Sequence, residues 1–155
     1  MQINDARIFR GALNIAVTAT LLSVLVLTAS SCKDEPTAEE IFRSKIARTW
    51  KLTSNGVQLS GKDVTPVFNG FTLSFTEAQI YTCTAGNPPV WPSSGKFTSV
   101  PVKSTIGFDL KRDDGAIIEV AQLTETKLVL KFNYTGKPSR VSSVSGGYVF
   151  DLEKK

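Results

Sequence analysis

The sequence predicts an all-β fold: an eight-stranded antiparallel up-and-down barrel with one short helix ahead of it. Three observations carry that prediction. From Thr49 onward apolar residues recur with a period of two, the side-chain period of a strand. The apolar runs are short and separated by turn-forming residues, so successive strands pair as neighbours. Each run has one apolar face, and closure of the row both buries that face and removes the open edges. A two-sheet sandwich satisfies the same alternation and is the alternative.

The helix comes first. "AEEIFRSKIA" places Ile41, Phe42 and Ile46 at helical spacing, an amphipathic segment suited to docking on a sheet. "TWKLTSNGVQL" then sets Trp50 and Leu52 on one side and Lys51 and Thr53 on the other. "FTLSF" alternates Phe71, Leu73 and Phe75 with Thr72 and Ser74, and "QIYTCT" follows after the turn Thr76-Glu77-Ala78. A strand near "KFTSV" precedes "TIGFDL", in which Ile106, Phe108 and Leu110 share a face. "RDDG", Arg112 to Gly115, is a turn signal because Asp-Gly suits positive φ. "AIIEVAQL" returns, "TET" turns, and "KLVLKFNY" aligns Leu128, Leu130, Phe132 and Tyr134. The last strand, "GYVFDLE", stacks Tyr148, Phe150 and Leu152 against outward Val149, Asp151 and Glu153.

Ahead of this domain, Arg7 and Arg10 precede the uncharged run "ALNIAVTATLLSVLVLTA", Ala12 to Ala29. Small residues Ala29, Ser30 and Ser31 then lead directly into Cys32. A basic start, an apolar stretch and a small-residue cleavage site make a signal peptide. Small residues followed by Cys resemble the lipobox of bacterial lipoproteins, with Ala29 where Leu or Val is usual. The resemblance implies cleavage before Cys32 and diacylglycerol on its thiol. The chain then divides into a leader at 1–31, an acylated Cys and flexible linker at 32–40, and the barrel domain at 41–155. The expected location is the outer membrane, lipid-anchored, on the periplasmic face or the cell surface. "KDE" at Lys33 to Glu35 resembles a surface-export tag, and it reads equally well as part of a solvated tether.

Composition limits what the domain does. Arg7, Arg10 and Asp5 leave with the leader, so 16 basic and 13 acidic side chains remain, a net charge of +3. That balance is too mild and dispersed for nucleic acid. Only Cys83 remains as a free thiol, so the core itself must hold the domain. The chain has no histidine, and it carries neither a Gly-x-Ser-x-Gly elbow nor a phosphate-binding glycine loop. Asp113 and Asp114 lie in a turn, where neighbouring carboxylates diverge into water. Cys83 in "YTCTAG" reads as a small buried hydrophobe, with no basic residue near it in sequence. The reading is of a protein that is not an enzyme, uses no cofactor and holds no metal.

Blocks in order, "ARTWKLTS", "DVTPVFNGFTLSFTEAQIYTCTAG", "VWPSSGKF", "LTETKLVLKF" and "RVSSVSGGYVFDLE", resemble the lipocalin-like domains of bacterial lipoproteins. The likeness spans nearly all of Ile46 to Glu153 and implies a calycin-type barrel, but no reaction. Arg48 stands where lipocalins begin with glycine, while Trp50 is in place. The resemblance further implies that Trp50 packs across a barrel end beneath a late cation, for which Arg140 is best placed. Such a stack is worth about 0.5–2 kcal/mol. In "TAGNPPVWPSSG" prolines stiffen the loop around Trp91, which either presents at an opening or folds down to plug it. Phe68 and Tyr81 are the other candidate mouth residues. The expected activity is the binding of one small apolar or amphipathic ligand in or at the mouth of a monomeric barrel. The alternative is a solid-cored structural or interaction domain contacting another envelope protein or a glycan.

Overall fold

Alternating burial along most of the strands settles which face of the chain is the core. In the computed structural model, residues 35–86, 90–136 and 145–155 are described. Pro36–Lys155 forms one compact unit. Cys32, the leader and Arg140 lie outside the described residues. Nine strands run in chain order: β1 (Thr49–Leu59), β2 (Lys62–Asp63), β3 (Thr72–Phe75), β4 (Ile80–Thr84) and β5 (Ser94–Pro101), then β6 (Phe108–Arg112), β7 (Ile117–Leu123), β8 (Lys127–Tyr134) and β9 (Gly146–Lys154). Every pairing is antiparallel, and β9 returns to pair with β1 from Trp50↔Lys154 to Leu59↔Tyr148. Eight strands therefore close into a barrel, with the two-residue β2 outside the ring. Closure between first and last strands replaces the sandwich alternative.

The helix α1 (Ala38–Ile46) covers the predicted "AEEIFRSKIA" segment and so begins inside residues 32–40, the stretch expected to be a flexible linker. Thr37 and Glu40 form a reciprocal capping box: Glu40 N donates to Thr37 Oγ1 at 3.2 Å, and Thr37 N donates to Glu40 Oε2 at 2.7 Å. Glu39 and Glu40 sit in its first turn and Arg43 and Lys45 in its last, matching the helix dipole. Its apolar face buries Phe42 and Ile46, and the Phe42 ring meets Phe108 at 5.2 Å. Trp50 Nε1 donates to Ile46 O at 3.0 Å, fastening the helix to β1.

Strand direction gives the barrel two distinct ends. The near end carries α1, the β3–β4, β5–β6 and β7–β8 turns, and the end of β9 at Lys154. The far end carries the β1–β2 turn, the short 3-10 helix Thr65–Phe68, the loop before β5 and the β6–β7 turn.

Two local departures from regular alternation matter. Between Leu52 and Val57, β1 advances five residues while β9 advances only two, from Leu152 to Phe150. This bulge folds Gly56 against the partner strand, where a Cβ would lie 2.7 Å from Asp151 O. The predicted strand "TIGFDL" begins three residues later than its pattern, at Phe108, because Gly107 turns with φ +84° and leaves Ile106 in the connection. The same strand runs on through Arg112, which the sequence reading had placed in the turn.

Candidate functional site

The three predicted mouth residues come together, but inside the barrel. Phe68 rides on the 3-10 helix Thr65–Phe68, which Pro66 opens with its preset φ. Thr65 ties that helix to β1: its Oγ1 accepts from Val57 N at 2.9 Å. Tyr81 faces inward from β4, and Trp91 descends from the loop before β5. Their exposures are 1%, 1% and 0%. Trp91 sits among four rings, with centroids 5.5 Å from Phe132, 5.7 Å from Phe150, 6.0 Å from Tyr81 and 6.3 Å from Phe71. Phe68 meets Phe150 edge to face at 5.2 Å. Aromatic side chains thus occupy the far half of the interior. Two of them leave polar atoms without a hydrogen-bond partner, Tyr81 Oη and Trp91 Nε1.

Arg112 completes this cluster and is the residue that sequence reasoning missed. It is 3% exposed, the one buried charged side chain among the described residues. Its guanidinium lies 5.1 Å from the Trp91 ring centre and 5.9 Å from that of Phe132. Nη1 donates to Val90 O at 3.1 Å, Nε donates to Asp114 Oδ1 at 3.1 Å, and Nη2 donates to Asp114 Oδ2. Asp114 is therefore not a freely solvated turn carboxylate. Its hydrogen bonds from Arg112 hold its carboxyl below the ordinary aspartate range. Asp113 also has a partner, accepting from Lys96 N at 3.0 Å. The clue in the sequence was the alternation of "FDLKR" itself, in which Arg112 falls in phase with Phe108 and Leu110. An arginine that stacks on rings and forks onto a carboxylate can hold such a place.

Cys83 is buried near this cluster, as a small apolar filler. Burial pushes its thiol up to about 12, against an opposing pull from Arg112, a neighbour in space that the sequence did not reveal. Burial likewise raises Tyr81. The native thiol will resist alkylation at neutral pH and react only when the protein is unfolded, as mass spectrometry with and without denaturant will show. Because the folded value lies above the ordinary 9.0, stability from this group is intact below that pH and declines as pH rises toward about 12. Rapid alkylation of the native protein would contradict its burial.

Trp50 is fully buried at the near end, and the cation over its ring among the described residues is Arg48, 5.7 Å from the centroid. Arg140, the proposed stacking partner, is outside the described residues. Arg48 Nη1 also donates to Glu125 Oε2 at 2.9 Å. That contact, with added charge from Lys45 and Lys154, holds the Glu125 carboxyl low.

Surface concavities are present among the described residues. One of about 650 Å³ opens where β1 leaves β3, since that ladder covers only Thr49–Lys51 against Thr72–Ser74. Phe68 and Phe71 lie beneath it, and Lys51, Asn55, Asp63 and Asn69 stand around it. Among the described residues, no three His, Cys, Asp or Glu side chains cluster to hold a metal ion. Comparison with protein-family models, curated proteins and solved structures finds no match to this chain.

Proposed function

We propose that this chain is a lipocalin-like envelope lipoprotein that works as a rigid interaction domain, through its outer surface. The observation that carries this reading is the packing of Trp91 against four rings at 5.5–6.3 Å. Rings at those separations are in contact, and eight-stranded barrels enclose little more than their own side chains fill. Arg112 and Asp114 seal the same region from the far end. A buried charge fixed by three hydrogen bonds suits a permanent filling better than a lumen that opens and closes. The small-ligand reading moves to the surface groove beside the β1 bulge, whose polar rim and phenylalanine floor suit an amphipathic molecule. Cys32 holds the domain to the outer membrane through its lipid.

Native mass spectrometry of the protein released from membranes tests the reading. The expected result is the mass of the acylated chain alone, diacylglycerol included. A stoichiometric small-molecule adduct that survives surface-groove changes such as Asn69→Trp would place a ligand inside and overturn it.

A further inference from the structure

At the near end of the barrel α1 lies beside the β5–β6 turn. Ile41, Phe42, Ile106, Phe108 and Leu123 line an apolar concavity there of about 430 Å³, with Lys45 at its lip. Ile41 is 41% exposed, although α1 buries its other large apolar residues, Phe42 and Ile46. Exposed cations share this end. Lys45 and Lys154 flank the Arg48–Glu125 pair, and Lys103 stands in the β5–β6 turn. Neighbouring carboxylates are already engaged: Glu125 by Arg48, Glu153 by Lys51 and Glu39 by Arg43. Glu40 and Glu77 line a second concavity along α1, on the other side of Ile41, which borders both. An apolar hollow with Lys45 at its lip and further exposed lysines at the same end is the chemistry of a lipid interface.

Chain length says which surface this end meets. Five residues separate Cys32 from Ala38. Fully extended, that tether spans about 20 Å. A lipid on Cys32 therefore keeps the near end, with α1, close to the headgroups. Tethering also raises the local concentration of the surface, so a modest patch suffices to settle on it.

We propose that the near end of the barrel rests on an anionic phospholipid bilayer. Ile41, Ile106 and Phe108 enter the interfacial layer, and Lys45, Lys103 and Lys154 meet lipid phosphates. This rests on the reading of Cys32 as the acylated residue. The far end, with its Arg112–Asp114 lock, then faces away from the membrane and is presented to partners.

Spin labelling of the full chain tests it in vesicles of phosphatidylethanolamine and phosphatidylglycerol. Single cysteines are introduced as Ile41→Cys, Ile106→Cys and, at the far end, Ser60→Cys. The unsubstituted protein serves as the control: buried Cys83 and acylated Cys32 both stay unlabelled. Labels at 41 and 106 should collide several-fold more with dissolved oxygen than with a water-soluble nickel chelate, and the label at 60 should show the reverse. Protection at 106 should weaken in purely zwitterionic vesicles or with Lys45→Glu, without any change in melting temperature. Equal nickel access at all three sites, with Cys32 still blocked, overturns the docking proposal alone. Loss of access to oxygen and nickel together, with spin–spin broadening, overturns it in favour of a second copy. Labelling at Cys32 in the control instead overturns the anchor.

Discussion

Replacing Trp91 by Ala will destabilise the protein by about 4 kcal/mol, within the range for a large buried aromatic. The indole is fully buried, and its four ring neighbours come from separate segments: Phe71 beside β3, Tyr81 on β4, Phe132 on β8 and Phe150 on β9. Hydrogen-bonded strands fix those neighbours, so the void cannot collapse, and the guanidinium of Arg112 loses the face it lies on. Trp91→Phe should cost only about 1–2 kcal/mol, since it keeps a ring and removes an indole N–H whose burial without a partner is itself unfavourable. Urea unfolding midpoints at constant slope will separate the two. An Ala variant within about 1 kcal/mol of the parent would mean that the ring is not packed as described.

Removing Arg112 should come next, at about 3 kcal/mol for Arg112→Ala. That figure combines a desolvated cation–π contact with a charged hydrogen bond and lost packing. Val90 O would be left without its donor, and Val90 is buried. Arg112→Met refills the volume without the charge and should recover roughly half of the loss. The carboxylate released in either variant is not stranded, because the Asp114 side chain is 43% exposed and can turn to water. Acid tests the pairing. Asp114 titrates below its ordinary 3.8 when folded, so the pair's contribution is complete above that pH. It is lost as pH falls through the depressed folded value, and the gap between parent and Arg112→Met should narrow over that range. A gap that stays constant down to the acid transition would show that Asp114 contributes nothing.

The parts of the fold that follow from local period were legible in the chain. Alternation in "KLVLKFNY" and "GYVFDLE" locates β8 and β9 and puts Leu128, Leu130, Phe150 and Leu152 inside. Helical spacing of Ile41, Phe42 and Ile46 locates α1, although its capped start at Thr37 lies inside the stretch read as linker. Illegible were the features decided by side chains distant in sequence. Arg112 beside two aspartates and a glycine looks like turn chemistry until Trp91 and Phe132 arrive to cover it. The β1 bulge is written only as "SNG", where the period breaks without saying how many residues the partner strand will skip. Whether Phe68, Tyr81 and Trp91 rim an opening or fill it was equally hidden. Each is aromatic in either case, and only the distance across the ring decides.

The seam that closes the ring has a consequence for the order of events during synthesis. Trp50 meets Lys154, and Leu59 meets Tyr148, so the joining contacts span about a hundred residues. Bringing such remote segments together carries a large loop-closure entropy and slows folding. A ribosome-bound chain still lacking β9 leaves β1 and β8 with open edges, and the barrel stays open until that strand has emerged.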